Sequence, residues 1–215
     1  MRNPESFVRA NTRPTRVALV PEIALHLADE ITPIWQASEE WLAQRNVEPP
    51  FWAFAWPGSQ ALARHILDHP ETVRGLRVLD FAAGCGLAAI AAAQAGGLAV
   101  EAAEIDPLAG AAIRLNAAMN NVHVTATISD VVGSACRWDV VLCGDIFYER
   151  PMAVHIRPWL QDLAAQAAVW VADPGRAYLP REGMEAFARY CVPTTLELED
   201  ATERVVSVYR VRGSH

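Results

Sequence analysis

The chain has 215 residues, of which 52% are hydrophobic, and its 25 acidic and 18 basic side chains give a net charge of −7. This length fits one domain with a full core, and the hydrophobic fraction excludes an intrinsically disordered chain. The acidic balance excludes a general nucleic-acid binder, because phosphates require a basic face.

The cysteines and the first residues indicate the compartment. Cys85, Cys136, Cys143 and Cys191 lack metal-ligand spacing, and residues 1–16 hold no apolar signal segment. The uncharged stretch 81–100 is mostly alanine and glycine, so we expect no membrane span there. The pattern therefore predicts a cytoplasmic protein with reduced thiols and no nucleic-acid or membrane partner.

The N-terminal quarter differs in pattern from the rest of the chain. Residues 1–56 are predicted to form an extension that caps a main domain at 57–212. Residues 1–16 are polar and arginine-rich and are expected to be loose. Short helical pieces and aromatic segments, separated by prolines, are expected up to residue 56. A helix is predicted over 59–67, with Ser59 as its N-cap.

From Leu76 onward, apolar strands alternate with helices. Strands are predicted at 76–81, 98–104, 122–127, 138–143 and 168–172, and helices at 87–95, 107–119, 151–166 and 181–191. Continuous apolar strands separated by helices indicate a parallel sheet covered on both faces. The segments TTLELE and RVVSVYRV then follow each other without a helix and predict an antiparallel hairpin. The predicted fold is α/β, a doubly wound, Rossmann-like seven-strand sheet of the class I methyltransferase type.

One βαβ unit carries the signature of a nucleotide site. Its first strand ends in Asp80, a turn with Gly84 and Gly86 follows, and its second strand ends in Glu104. The glycines allow a tight turn and a close approach of the backbone to a ligand, and the next helix points its N-terminus there. Glu104 can accept hydrogen bonds from ribose hydroxyls. The unit therefore predicts an adenosine-containing cofactor.

Two cofactors compete for this unit. Gly84, Gly86 and Ala89 match the dinucleotide pattern G-x-G-x-x-A, which is a weak signal alone. A carboxylate at Asp80 repels a pyrophosphate but suits the sulfonium and α-amino group of S-adenosylmethionine. Asp80 can also be a simple helix cap. The terminal hairpin favours the methyl donor, because a dinucleotide dehydrogenase normally continues with helices.

Three further residues are candidates for contacts with the cofactor. Trp56, in a Trp-Pro-Gly turn, can lay its indole over the methionine end, or it can be a core residue. Asp106 can contact the cofactor or cap the helix that Pro107 begins. Asp130, after the third strand, can accept from the adenine amino group or be an ordinary turn residue.

The segment after the fourth strand carries the candidate catalytic residues. Asp145 can hold and orient an amine acceptor, and Phe147 or Tyr148 can wall its channel, because aromatic faces bind ammonium groups. A cap with two core aromatics is the alternative. The run Asp173-Pro-Gly-Arg176 follows the fifth strand and can shape the acceptor entrance or be a plain turn.

Five segments together resemble the electron transfer flavoprotein β-subunit lysine methyltransferases. They are FWAFAWPGSQALARHIL, VLDFAAGCGLAAIAAAQAGG, EIDPLAGAAIRLNAAMNNV, GDIFYERPMA and ADPGR. These enzymes belong to a group with an Asp/Glu-x-x-Tyr/Phe motif after the fourth strand, here Asp145 to Tyr148. The sequence departs from many relatives at Ala82, where glycine is common, and at Glu104, where aspartate is usual.

The resemblance implies methyl transfer from S-adenosylmethionine to lysines near the docking loop of the electron transfer flavoprotein β subunit. Three alternatives stay open at this point. They are a small-molecule amine methyltransferase, an NAD(P)-dependent oxidoreductase and a non-enzymatic sensor of an adenosine ligand.

Overall fold

The computed structural model describes residues 3–29 and 50–213. Its helices are α1 (Pro4–Asn11), α2 (Pro57–Asp68), α3 (Leu87–Gln94), α4 (Pro107–Met119), α5 (Arg150–Ala164) and α6 (Leu196–Glu199). Its strands are β1 (Arg13–Val17), β2 (Val20–Leu27), β3 (Arg77–Phe81), β4 (Ala99–Glu104), β5 (Thr125–Ile128), β6 (Val140–Gly144), β7 (Ala168–Asp173), β8 (Met184–Pro193) and β9 (Glu203–Val211). Short 3₁₀ turns lie at Phe51–Ala53 and Pro70–Thr72.

The main sheet has seven strands in the order β5-β4-β3-β6-β7-β9-β8. The first five strands in this order are parallel, and β9 runs antiparallel to both β7 and β8. The chain leaves β3 toward β4 on one side and later returns to β6 on the other, so the order reverses at β3. The predicted doubly wound seven-strand α/β sheet with a terminal antiparallel hairpin is confirmed.

Both faces of the central strands β3, β6 and β7 are buried, which explains why these strands are largely apolar runs. Val78 and Val140 belong to one core cluster, with residues of α2 and α3, whereas Leu79 and Val141 belong to another, with residues of α5. Successive side chains of a strand point to opposite faces, so neighbours in sequence enter different cores. Among residues 3–29 and 50–213, no helix is long and apolar enough to cross a bilayer.

The N-terminal residues are more regular than expected. The predicted loose start is wrong, because residues 4–11 form α1 and residues 13–17 pair with β2 in a two-stranded hairpin. The alternating apolar residues Ile23, Leu25 and Leu27 of β2 pack into the main core. Part of the predicted cap, residues 30–49 with Trp35 and Trp41, lies outside the described residues.

A buried amide connects this N-terminal hairpin to the glycine turn. Asn116 of α4 is fully buried, and its Oδ1 accepts a hydrogen bond from the backbone N–H of His26 at 2.7 Å. Its Nδ2 donates to the carbonyl of Cys85 at 2.9 Å. One side chain therefore satisfies backbone groups of both elements, as buried polar groups require.

The C-terminal hairpin forms from different residues than predicted. The expected helix at 181–191 is wrong, because 184–193 form β8, and the expected strand TTLELE contains the helix α6 instead. Ala188, Tyr190 and Val192 alternate toward the core, and β9 pairs along the whole of β8. This tertiary pairing overrides the local helical tendency of the segment.

The start of α2 also differs from the prediction. The helix begins at Pro57 with Trp56 in the N-cap position, so Ser59 is not its N-cap. Proline suits the first helical position because its missing N–H would be unpaired there. The remaining predicted strands and helices are present. The helix predicted at 107–119 matches α4 at both ends, and the others differ at one or both ends, most of all β5, which was expected at 122–127.

Candidate active site

The candidate residues meet at the carboxyl ends of the parallel strands. Asp80 lies in β3, Glu104 ends β4, Asp145 directly follows β6, and Asp173 ends β7. The reversal of strand order at β3 opens a crevice at this edge, which is where ligands bind in doubly wound sheets.

The turn after β3 has the backbone that a glycine loop requires. Gly84 and Gly86 have φ angles of +54° and +79°, and Gly86 is the N-cap of α3. A Cβ added at Gly84 would lie 4.0 Å from the backbone of Phe51 and Trp52. The backbone of 51–52 therefore faces the loop across a narrow gap. Ala82 also adopts a positive φ, +52°, which is unfavourable for a residue with a Cβ.

Asp80 is a buried helix cap at the mouth of this turn. It is 2% exposed, and its Oδ2 accepts a hydrogen bond from the N–H of Ala89, in the first turn of α3, at 2.9 Å. Burial raises the pKa of Asp80 to about 8, against the hydrogen bond from Ala89. The structure confirms the interpretation of Asp80 as a helix cap. A contact of Asp80 with a cofactor stays a prediction.

Glu104 braces the glycine turn from the neighbouring strand. Its Oε1 accepts from the N–H of Gly84 at 2.7 Å, and its Oε2 accepts from the N–H of Ile105 at 3.1 Å. Burial raises the pKa of Glu104, and these two hydrogen bonds oppose the rise. Each carboxylate oxygen has a second lone pair, so the side chain can still accept hydroxyl donors.

Asp106 and Asp130 have local hydrogen bonds. Asp106 is the N-cap of α4, where its Oδ1 accepts from the N–H of Leu108 at 2.7 Å, which is the capping alternative. Asp130 is exposed; its Oδ1 accepts from the N–H of Val132 at 2.9 Å, and its Oδ2 lies 3.3 Å from Nε2 of His155. Cofactor contacts of both residues stay predictions.

Asp145 is the most constrained of the candidates. It is 7% exposed, and its φ of +57° lies in the left-handed region. Its Oδ2 accepts from the N–H of Gly58 at 2.5 Å, and its Oδ1 accepts from Nε and Nη2 of Arg176 at 3.0 and 2.6 Å. Burial raises the pKa of Asp145 to about 6, although the Arg176 guanidinium lowers it.

Arg176 joins Asp145 to another buried carboxylate, that of Glu199. Its Nη2 and Nη1 donate to Glu199 at 2.5 and 3.1 Å, and Nε of Arg204 donates to Glu199 at 3.2 Å. Asp173 accepts with Oδ1 from the backbone N–H groups of Gly175 and Arg176, at 2.6 Å each. Two buried carboxylates, Asp145 and Glu199, therefore share the Arg176 guanidinium, and a third, Asp173, accepts from the backbone of the same residue.

Part of this arrangement, Asp145 and the run Asp173 to Arg176, was predictable from the sequence. The run Asp173 to Arg176 was an alternative for the acceptor entrance, but the pairing of Arg176 with Asp145 was not expected. Glu199 was missed, because TTLELE was assigned to a strand. In the sequence, the indication for Glu199 was that it is an acidic residue in the connection between the last two strands. That connection returns to the edge of the sheet where the other candidate residues lie.

The two predicted aromatic residues occupy different environments. Phe147 is 2% exposed and packs in the core cluster that contains residues of α5, whereas Tyr148 is 42% exposed. The ring of Phe51 lies 5.4 Å from that of Tyr148 and 5.8 Å from that of Trp56. Trp56 donates from Nε1 to the carbonyl of Phe51 at 2.8 Å. Tyr148 is thus the residue of the pair that can contact an acceptor, with Phe51 and Trp56 beside it.

Proteins of known classification match almost the whole chain. The electron transfer flavoprotein beta subunit lysine methyltransferase of Danio rerio is 35% identical over 208 residues, covering 92% of this chain and 80% of that protein. The Xenopus laevis protein of the same name is 39% identical, with 81% and 71% covered. This chain belongs to the electron transfer flavoprotein beta subunit lysine methyltransferase family.

Other comparisons agree with this methyltransferase family on the fold. The model of the ribosomal protein L11 methyltransferase family matches residues 61–149. A putative RNA methyltransferase from Pyrococcus horikoshii has a TM-score of 0.54 at 19% identity, with 75% of this chain and 86% of that chain covered. The magnesium protoporphyrin IX methyltransferase of Synechocystis with bound S-adenosylmethionine also has a TM-score of 0.54 at 19% identity, with 83% and 88% covered. The chain is an enzyme of the methyltransferase class with the class I fold.

Proposed function

We propose that this enzyme transfers a methyl group from S-adenosylmethionine to a lysine ε-amine of the electron transfer flavoprotein β subunit. The observation that carries the proposal is the 35% identity, over 92% of the chain, to a relative whose name states this substrate. The arrangement of acidic and aromatic side chains at the sheet edge supports the same chemistry.

The glycine turn suits an adenosine ligand with a cationic tail. Gly84 has no side chain, and its positive φ forms a tight turn that lets a ligand approach the backbone of the loop closely. Glu104, at the end of β4, would accept from the ribose hydroxyls. Asp80 is buried and Glu104 is half-buried. A sulfonium and an α-amino group would favour the ionised forms of both acids and be attracted to them, whereas a pyrophosphate would be repelled by each acid that is ionised. This charge argument supports S-adenosylmethionine over a dinucleotide.

When bound, S-adenosylmethionine supplies a methyl carbon on a positive sulfur. The acceptor amine must first lose its proton to water, because only the neutral amine has a lone pair for the new nitrogen–carbon bond. With a lysine pKa of about 10.4, this costs roughly 4–5 kcal/mol at pH 7. The aromatic surfaces of Tyr148, Phe51 and Trp56 would surround the amine and disfavour its charged form by excluding water.

Asp145 then acts on the acceptor through its charge and position. Both of its oxygens already accept hydrogen bonds from Gly58 and Arg176, so it is not poised to remove a proton as a strong base. Its carboxylate fixes the start of α2, next to Trp56, against the end of β6. Correct placement of the amine and the methyl carbon supplies most of the acceleration in such a transfer.

We also propose a cytoplasmic location. Cys85, Cys136, Cys143 and Cys191 are all free thiols. Burial raises the pKa of the Cys85 thiol to about 12 and that of Cys143 well above its ordinary value. Four unpaired thiols, two of them buried and unreactive, suit a reducing compartment.

The test is transfer of a radiolabelled methyl group. The purified enzyme is incubated with labelled S-adenosylmethionine and, in separate reactions, recombinant electron transfer flavoprotein or a whole lysate of the source cell, and the labelled products are identified by mass spectrometry. We expect the label on lysines of the β subunit. Label on another protein of a whole lysate would overturn the partner, and label confined to low-mass amines would favour a small-molecule methyltransferase. No incorporation at all would overturn the proposed activity.

A further inference from the structure

Glu199 lies far from the cofactor turn in sequence but is buried at the catalytic edge. It ends α6, in the connection between β8 and β9, and its side chain is 1% exposed. Its two carboxylate oxygens accept from Nη2 and Nη1 of Arg176 and from Nε of Arg204. A second donor of Arg204, Nη2, bonds the carbonyl of Glu199 itself.

Arg176 is held between two carboxylates that come from different parts of the chain. Its Nε and Nη2 donate to Asp145, and its Nη1 and Nη2 donate to Glu199, so all three guanidinium nitrogens are engaged. The guanidinium is planar, so anchoring one edge on Glu199 sets the direction of the other edge. Its Cζ also lies 5.8 Å from the centre of the Trp56 ring.

Burying these charges has a desolvation cost, so a stabilising role in closing the hairpin does not by itself account for the network. A buried ion pair often contributes no more to stability than apolar residues of similar volume would. What Glu199 supplies, and an apolar residue would not, is a fixed orientation of Arg176. Without that anchor the guanidinium can turn toward solvent, because 21% of its side chain is already exposed.

We propose that Glu199 is a positioning residue for methyl transfer: it fixes Arg176, and Arg176 in turn holds the buried Asp145 in its ionised form beside Gly58. The inference rests on the proposed function. The charged groups that face this network are Asp173, whose Oδ1 accepts from the N–H of Arg176, and Arg204, which braces Glu199 from β9.

The test compares Glu199→Ala, Glu199→Asp and Glu199→Gln with a matched control, Glu185→Gln. Glu185 is a glutamate of β8 whose side chain is 63% exposed, and its partner Arg212 is also exposed. Steady-state kcat and KM are measured for both substrates over a range of pH. The titration of the Asp145 carboxyl is followed by carbon-detected NMR without substrates.

We expect Glu199→Ala to lower kcat about tenfold near neutral pH while KM for S-adenosylmethionine changes by less than about threefold. The acid limb of its kcat profile and the titration of Asp145 should both move to higher pH, by about one unit. The reason is that Arg176 no longer opposes the rise in the pKa of Asp145 that burial causes. Glu199→Asp, whose carboxylate is too short to reach Arg176, should behave alike. Glu199→Gln keeps one oxygen that can accept from Arg176, but its NH₂ group faces an arginine donor, so its kcat should lie between those of the wild type and Glu199→Ala.

Three outcomes would overturn the inference. They are a folded Glu199→Ala with the pH profile of Glu185→Gln, a Glu199→Gln as impaired as Glu199→Ala, or an unchanged Asp145 titration. If Glu199→Ala does not fold, a wild-type kcat in Glu199→Asp overturns it equally. If the wild-type enzyme itself transfers no methyl group, the proposed function fails, and the Asp145 titration still tests the connection through Arg176.

Discussion

The N–H of Gly58 donates to Oδ2 of Asp145 at 2.5 Å, across 87 residues of sequence. This hydrogen bond joins the first turn of α2 to the residue that follows β6. A Cβ added at Gly144 would lie only 2.7 Å from the N–H nitrogen of Ser59, and one added at Gly58 would also be too close to its neighbours. Neither Gly58 nor Gly144 therefore has room for a side chain at this contact. The two glycines let a helix start and a strand end approach closely enough to fix a buried carboxylate.

Gly58→Ala is therefore expected to disrupt both folding and catalysis. The added Cβ would lie 2.4 Å from the carbonyl oxygen of Ala172 and 2.5 Å from Oδ2 of Asp145, and a backbone carbonyl cannot move aside cheaply. We expect a loss of about 1–3 kcal/mol in unfolding free energy, typical of overpacking, measured by urea denaturation. Ser59→Ala, in the same turn, is the control. A Gly58→Ala enzyme with normal stability and activity would contradict the contact.

Asp145→Asn should abolish most of the activity and remove its acid limb. Burial raises the pKa of Asp145 from 3.8 to about 6, so the carboxylate forms as the pH rises through 6, and activity should fall below that value. The amide cannot accept on both sides, because its NH₂ group would face either Gly58 or Arg176, which also donate. We expect a loss in kcat of about a hundredfold, measured by initial rates across pH.

The matched control for this substitution is Asp139→Asn. Asp139 immediately precedes β6, the strand that Asp145 follows, and its Oδ1 accepts from Nη2 of Arg77 at 2.6 Å. It is thus an arginine-paired aspartate at the opposite end of the same strand. If the two variants lose activity equally, Asp145 has no special part in the reaction.

Asp80 should couple cofactor binding to pH. Burial raises its pKa to about 8, so near neutral pH Asp80 holds a proton that a neighbouring cation would displace. Binding of S-adenosylhomocysteine, whose α-amino group is cationic, should release a proton and tighten as the pH rises toward about 8. Calorimetric titration in buffers of different ionisation enthalpy measures the proton release, and Asp80→Asn should remove it.

The same pKa has a consequence for stability with a defined sign. A carboxyl whose pKa in the folded state exceeds its ordinary value of 3.8 stabilises the fold below about pH 4 and loses that contribution as the pH rises through about 8. The cofactor-free protein should therefore be more stable in mild acid than at pH 8 with respect to this group. Asp80→Asn should flatten that part of the dependence, and an unchanged slope in thermal unfolding would contradict the assignment.

The positions of Asp80, Glu104, Asp145 and Asp173 were predictable because each lies at the end of an apolar strand. In a parallel sheet the carboxyl ends of the strands share one edge, so local patterns suffice to bring these residues together. The pattern did not distinguish a cap from a ligand contact, and the structure contains caps at Asp80 and Asp106.

The pairing of Arg176 with Glu199 depends on contacts that no local pattern contains. The segment 181–191 has alanine, methionine and glutamate, which favour a helix, yet the partner strand β9 makes it extended. Once β8 takes those residues, TTLELE becomes the connection, and Glu199 returns to the site. Because β8 was predicted as a helix, Glu199 was not recognised as a candidate site residue.

Ala82→Gly is expected to stabilise the enzyme slightly. Ala82 has a φ of +52°, a conformation that costs a non-glycine residue roughly 1–2 kcal/mol. Glycine removes this strain but loses about 0.5–1 kcal/mol through the greater freedom of the unfolded chain. The net gain should be between about 0 and 1.5 kcal/mol in urea denaturation. The control is the neighbouring Ala83→Gly, which is buried without a positive φ and should destabilise. A larger loss at Ala82 than at Ala83 would show that the methyl group of Ala82 makes contacts worth more than the strain of its backbone.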